Sequence, residues 1–194
     1  MTTTIKSESV WYEEVDRGLK KLVQQVLGNI PVVFTPNREN TINDNSNPYK
    51  PQTYPYVRIV HLGETFDATR YNRQDSVTKR HTSENRATLR KSAKPYNLSY
   101  QFEIITNKQT DSNNLTRLWN FEVLDKYNLD VLDKSGKARN CFMTRTTATS
   151  ILEGYQKDDK IFRNIYRYSI RVELDEAITY ELPMITSVNL QFND

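Results

Sequence analysis

Asn97-Leu98-Ser99-Tyr100-Gln101-Phe102-Glu103-Ile104-Ile105-Thr106 is the stretch on which the fold class turns. Leu98, Tyr100, Phe102 and Ile104 recur at every second position, with Ser99, Gln101 and Glu103 between them. A period of two belongs to a β-strand, here with one covered face and one face that is wet or meets a partner. A longer strand of the same kind is predicted over residues 161–174. Phe162, Tyr166, Tyr168, Ile170, Val172 and Leu174 share one side of it, and Arg163, Arg167, Ser169, Arg171 and Glu173 share the other.

Working outward, residues 184–192 alternate similarly, with Thr186, Val188, Leu190 and Phe192 opposite Ser187, Asn189 and Gln191. The β-branched run from Tyr56 to Leu62, bounded by Pro55 and Gly63, reads as a strand, as do Pro31 to Thr35 and Asn140 to Thr149. Two segments carry helical spacing instead. From Ser9 to Leu27 the positions Trp11, Val15, Leu19, Leu22, Val23 and Val26 form one apolar stripe, and Gly28 supplies a stop. Asp111 is expected to cap a second helix running through Tyr127, with Leu115, Leu118, Trp119, Val123 and Tyr127 on its covered side.

Helix, strands, excursion, strand, helix, strands is the order of an α+β fold. The expectation is a mostly antiparallel sheet flanked by two helices on one face, within a single domain covering residues 1–194. Two excursions interrupt it. Residues 37–53 form a polar Asn- and Pro-rich loop, and residues 63–94 form a basic arm too long for an ordinary connection.

Composition narrows the function. Counted without Tyr and with Gly, the apolar share of the 194 residues is about one third, below the ~45–50% of an ordinary globular domain. Such a chain completes its packing most readily against neighbours. Charge is nearly balanced, with 27 basic and 24 acidic side chains. The single Cys141 forms no internal disulfide, and His61 and His81 lie on different segments, so no metal site is expected. Asp158 and Asp159 read as a solvated pair without the glycine of a calcium loop. Five scattered glycines build no phosphate cradle, and no Gly-x-Ser-x-Gly elbow occurs. The expected protein is therefore no enzyme and holds no cofactor. Neither a signal peptide nor an apolar run long enough for a membrane span is evident, which points to assembly in the cytoplasm.

One local imbalance stands out. Between Arg70 and Lys94 the basic residues Arg70, Arg73, Lys79, Arg80, Arg86, Arg90, Lys91 and Lys94 face only Asp75 and Glu84. This arm admits three readings: a solvated loop, a contact with another subunit, or a contact with nucleic acid in which Tyr71 or Phe66 stacks on bases. The row Arg163, Arg167, Arg171 is a further contact candidate, although cations on a strand also act simply to discourage edge-to-edge aggregation.

Two strings carry a resemblance. Lys94-Pro95-Tyr96-Asn97-Leu98-Ser99-Tyr100-Gln101-Phe102-Glu103-Ile104 and Phe162-Arg163-Asn164-Ile165-Tyr166-Arg167-Tyr168-Ser169-Ile170-Arg171-Val172-Glu173, with Trp119 on a helix between them, resemble structural proteins of the neck and tail end of contractile-tailed bacteriophages. The resemblance covers roughly residues 94–175. It implies a tail-terminator or tail-completion fold that forms a ring, commonly hexameric, joining the tail tube or sheath to the head connector. DNA would then pass through the lumen, and no catalytic residues carry over. The 37–53 and 63–93 segments depart from compact members of the family, and terminator, sheath-completion protein and other neck component all stay open as the specific role.

Overall fold

The computed structural model describes residues 4–5, 10, 12–35, 53–71, 76–81, 86–133, 136–153, 161–174 and 178–183. The elements run β1 (Thr4–Ile5), α1 (Tyr12–Leu27), β2 (Val32–Thr35), β3 (Tyr56–Phe66), β4 (Ser76–His81), β5 (Arg86–Arg90), β6 (Lys94–Thr106), α2 (Gln109–Glu122), β7 (Lys126–Leu132), β8 (Ala138–Glu153), β9 (Ile161–Leu174) and β10 (Ile178–Pro183). This is an α+β fold with a mostly antiparallel sheet.

Six strands form the main sheet in the order β2-β3-β6-β9-β8-β7, with only β2 and β3 parallel. The two strands with the clearest alternation, β6 and β9, sit at its centre and pair along their full length from Lys94↔Leu174 to Thr106↔Phe162. A central strand needs cover along its whole apolar face, so its pattern is the cleanest in the sequence. Leu98, Tyr100, Phe102 and Ile104 of β6 join Tyr166, Tyr168, Ile170 and Val172 of β9 in one buried cluster.

Helix α1 brings Val15, Leu19, Leu22 and Val23 to that cluster, and Gly18 lets it lie close on β7. A Cβ at Gly18 would stand 3.2 Å from both the Asp130 carbonyl oxygen and the Val131 side chain. Gly28, at φ +77°, ends the helix in the left-handed conformation that glycine adopts without strain. Helix α2 contributes Trp119, whose ring meets Phe102, Tyr166 and Tyr168 at centroid distances of 5.3–6.4 Å. Its Nε1 donates to the Tyr168 hydroxyl at 3.0 Å, so the indole is both packed and satisfied.

Several expectations are corrected. Helix α2 starts after Lys108, with no side-chain cap, and Asp111 lies inside its first turn where it favours the helix dipole. It ends at Glu122, so Tyr127 belongs to β7, where Tyr127, Leu129 and Val131 alternate with Lys126, Asn128 and Asp130. Leu118 is exposed instead of covered. Half of the basic arm is strand: β3 runs on to Phe66 through a bulge at Gly63, and β4 and β5 pair as antiparallel neighbours. The strand expected at residues 184–192 and most of the 37–53 loop lie outside the described residues.

Strands β4 and β5 belong to a second sheet, in the order β1-β10-β5-β4. It continues the first. Lys91, Ser92 and Ala93 separate β5 from β6, and the pairing Arg90↔Thr179 resumes, one residue out of step, the ladder that ends at Lys94↔Leu174. Strands β4, β5 and β10 thus prolong β3, β6 and β9 beyond the body, and β1 takes beside β10 the place that β8 holds beside β9.

Candidate functional site

The sequence singled out basic residues, and the structure sorts them into three settings. Arg163 and Arg167 are engaged on the second face of the main sheet. Glu103, buried there, accepts from Arg58 Nε at 2.7 Å and stands 3.8 Å from Arg163 Nε. Arg167 Nε donates to Gln101 Oε1 at 2.8 Å, and Gln101 donates in turn to Glu103. These arginines close a polar network over a buried carboxylate, which is a structural use of charge.

The second setting is the extension. Lys79 and Arg80 stand on β4, Arg86 and Arg90 on β5, and the exposed Lys91 and Lys94 flank the junction with the body. Ala87 is buried, and Thr88 and Leu89 beside it are partly buried. Lys79 pairs with Thr88, and His81 with Arg86. Arg73 lies outside the described residues.

The third setting brings together two residues the sequence left far apart. Strand β8 pairs with β9 only from Phe142↔Arg171 onward, while its first residues stay with β7. Where β8 and β9 part, a cavity of about 260 Å³ opens, lined by Arg70, Arg139, Arg171, Phe142, Val10 and Glu173 among others. Arg70 is held by Asp67 at 2.6 Å and also donates to the Tyr96 carbonyl. The Asp67 carboxyl lies well below the ordinary carboxylate range, because it accepts from Thr69 and Arg70. Arg139 Nε stands 3.5 Å from the buried Asp133. Cys141 also lines the cavity, and burial pushes its thiol up to about 12, so it stays protonated at neutral pH.

Sequence reasoning missed Arg58, Arg139 and Arg145. Arg145 stacks on Tyr166 and Tyr168, donates to the Tyr168 hydroxyl at 3.2 Å and to the Val123 carbonyl, and so clamps the end of α2 to β9. It also missed an exposed apolar row at that helix end. Leu118 is 46% exposed, Phe121 79% and Leu124 61%. Their three-residue spacing was the available signal: Leu115, Trp119 and Val123 follow a separate stripe at four-residue spacing.

His61 packs between the rings of Tyr12 and Tyr100 at 5.6 and 4.9 Å. Beside it, Tyr100 donates to Asp16 Oδ1 at 2.8 Å, and burial raises both groups above their ordinary values. Among the described residues no three His, Cys, Asp or Glu side chains converge on a common point, and no helix is long and apolar enough to cross a membrane. Comparison with known proteins finds no family model and no curated protein that the chain matches.

Proposed function

We propose that the chain is a structural virion protein, forming a homo-oligomeric ring, hexameric in the simplest case, at the head-proximal end of a contractile phage tail. In this reading it joins the tail tube or sheath to the connector of the head. The observation that carries it is the exposure of Leu118, Phe121 and Leu124, three large apolar side chains left to solvent at the end of a helix that buries Trp119. Scattered apolar residues on a surface need no partner, whereas a contiguous row with an aromatic at its centre is what subunit contacts use. The resemblance of β6 and β9 to neck and tail-end proteins supplies the identity of the assembly. The small apolar share agrees with a subunit completed by its neighbours.

Negative-stain imaging and sedimentation of the purified chain, alone and with tail tube or connector, test this. Rings are expected, and Phe121→Ser should leave the fold intact and abolish them. A chain that stays monomeric at high concentration in every mixture overturns the reading.

A second reading, nucleic-acid binding through residues 70–94, is favoured by the basic extension carrying Lys79, Arg86 and Arg90. It predicts a salt-sensitive shift of labelled DNA that disappears when Arg86, Arg90 and Lys91 are neutralised. In a ring the same face would meet DNA passing through the lumen without sequence preference.

A further inference from the structure

We infer that the cavity between β8 and β9 is an oxyanion site, taking a carboxylate or a phosphate group on the guanidinium groups of Arg70, Arg139 and Arg171. The inference does not depend on the ring. Three arginines reach this one cavity from three separate places: the turn after β3, the start of β8 and the end of β9. Like charges gather in this way only where something fixes them, and two of the three are fixed. Asp67 holds Arg70 through Nε, and its Nη2 is taken by the Tyr96 carbonyl and Asn97, which leaves Nη1. Asp133 Oδ2 stands 3.5 Å from Arg139 Nε, and no hydrogen bond uses that nitrogen. The two carboxylates therefore position the guanidinium groups without using up their donors.

Arg171 differs from its neighbours along β9. Arg163 and Arg167 are engaged with Glu103 and Gln101, but among the described residues nothing accepts a hydrogen bond from Arg171. Its fork is the one fully available for a bidentate contact with a planar or tetrahedral oxyanion. Val10 and Phe142 give the cavity an apolar wall, which strengthens a charge-assisted hydrogen bond by excluding water. Glu173 also lines the cavity, so the site suits a single anionic group and not a polyanion. Its volume agrees: about 260 Å³ lies below the ~300–1,000 Å³ of drug-sized pockets and holds an ion or one side-chain head. The oxyanion comes either from solution or as the carboxylate of a second copy of the chain.

Calorimetric titration of the full chain with inorganic phosphate and with acetate, against chloride at matched ionic strength, tests the site. Saturable binding is expected, weakened about tenfold or more in Arg171→Gln and unchanged in Arg167→Gln. Arg171→Lys, which keeps the charge and loses the fork, should fall between them, and it serves as the reference if Arg171→Gln fails to fold. Absence of binding beyond the chloride control overturns the inference, as does an equal loss in the Arg171 and Arg167 variants. Sedimentation with added phosphate separates the sources. Assembly weakened by phosphate assigns the site to a neighbour's carboxylate, and assembly unchanged alongside saturable binding assigns it to a free ion.

Discussion

Strands β6 and β9 pair in the main sheet and β5 and β10 in the second sheet, and the two ladders stand in different environments. In the body the ladder is roofed by α1 and α2, and Leu98, Tyr100, Phe102, Tyr168 and Ile170 are almost wholly buried. Past Lys94 and Leu174 no helix is found among the described residues, and Ala87 is the buried apolar residue the extension contributes among those described. The pairing is similar in both, so the hydrogen-bond ladder alone does not separate them. What differs is cover: a sheet face stabilises a fold only where something apolar lies against it. The body carries its own cover, and among the described residues the extension shows no comparable layer.

The hardest test of this contrast is the roof. Trp119→Ala removes the side chain that joins α2 to both central strands and should cost about 3–5 kcal/mol in urea denaturation. A loss below about 1 kcal/mol would mean that α2 is not what holds the body together. Next is the second face. Glu103→Ala leaves Arg58 and Arg163 without their carboxylate, and because both arginines are partly exposed, about 1–3 kcal/mol is expected, less than for a fully buried pair.

A pH series sharpens the comparison inside the body. Burial raises the Asp16 carboxyl, so the folded state holds that proton more tightly than the unfolded chain does. The stability this contributes is complete below the ordinary carboxylate value and is lost as pH rises through the raised one. Asp16→Asn keeps an acceptor for Tyr100 and removes the titration. Its stability relative to the parent should therefore grow between about pH 3 and about pH 7, and a constant difference would show that the carboxyl is not desolvated.

The smallest effect is expected in the extension. Neutralising Arg86, Arg90 and Lys91 together should change stability by no more than about 0.5 kcal/mol. Amide exchange should be faster over residues 86–90 than over 98–104. Equal protection in the two stretches would break the contrast and make the extension part of the body.

The two helices and the central strands were legible because each presents a single period to a single core. Tyr100 and Tyr168 declare their side by position alone. Strand β7 went unread although Tyr127, Leu129 and Val131 alternate with polar neighbours, because Tyr127 also continues the four-residue helical stripe of Leu115, Trp119 and Val123. The extension hid for a different reason: β4 and β5 are short and dominated by charge, although Ile178, Tyr180 and Leu182 alternate with Thr179 and Glu181 in β10.

Local order therefore settled which segments are helices and which central strands are covered, because hydrophobic periodicity is a property of neighbours along the chain. Tertiary structure decided what the charges do. Residues 70, 139 and 171 meet at one cavity, and Glu103 meets Arg58 and Arg163, only because register brings distant strands side by side. A guanidinium reads the same in sequence whether it closes a buried network or waits for a partner, and only the pairing of strands tells the two apart.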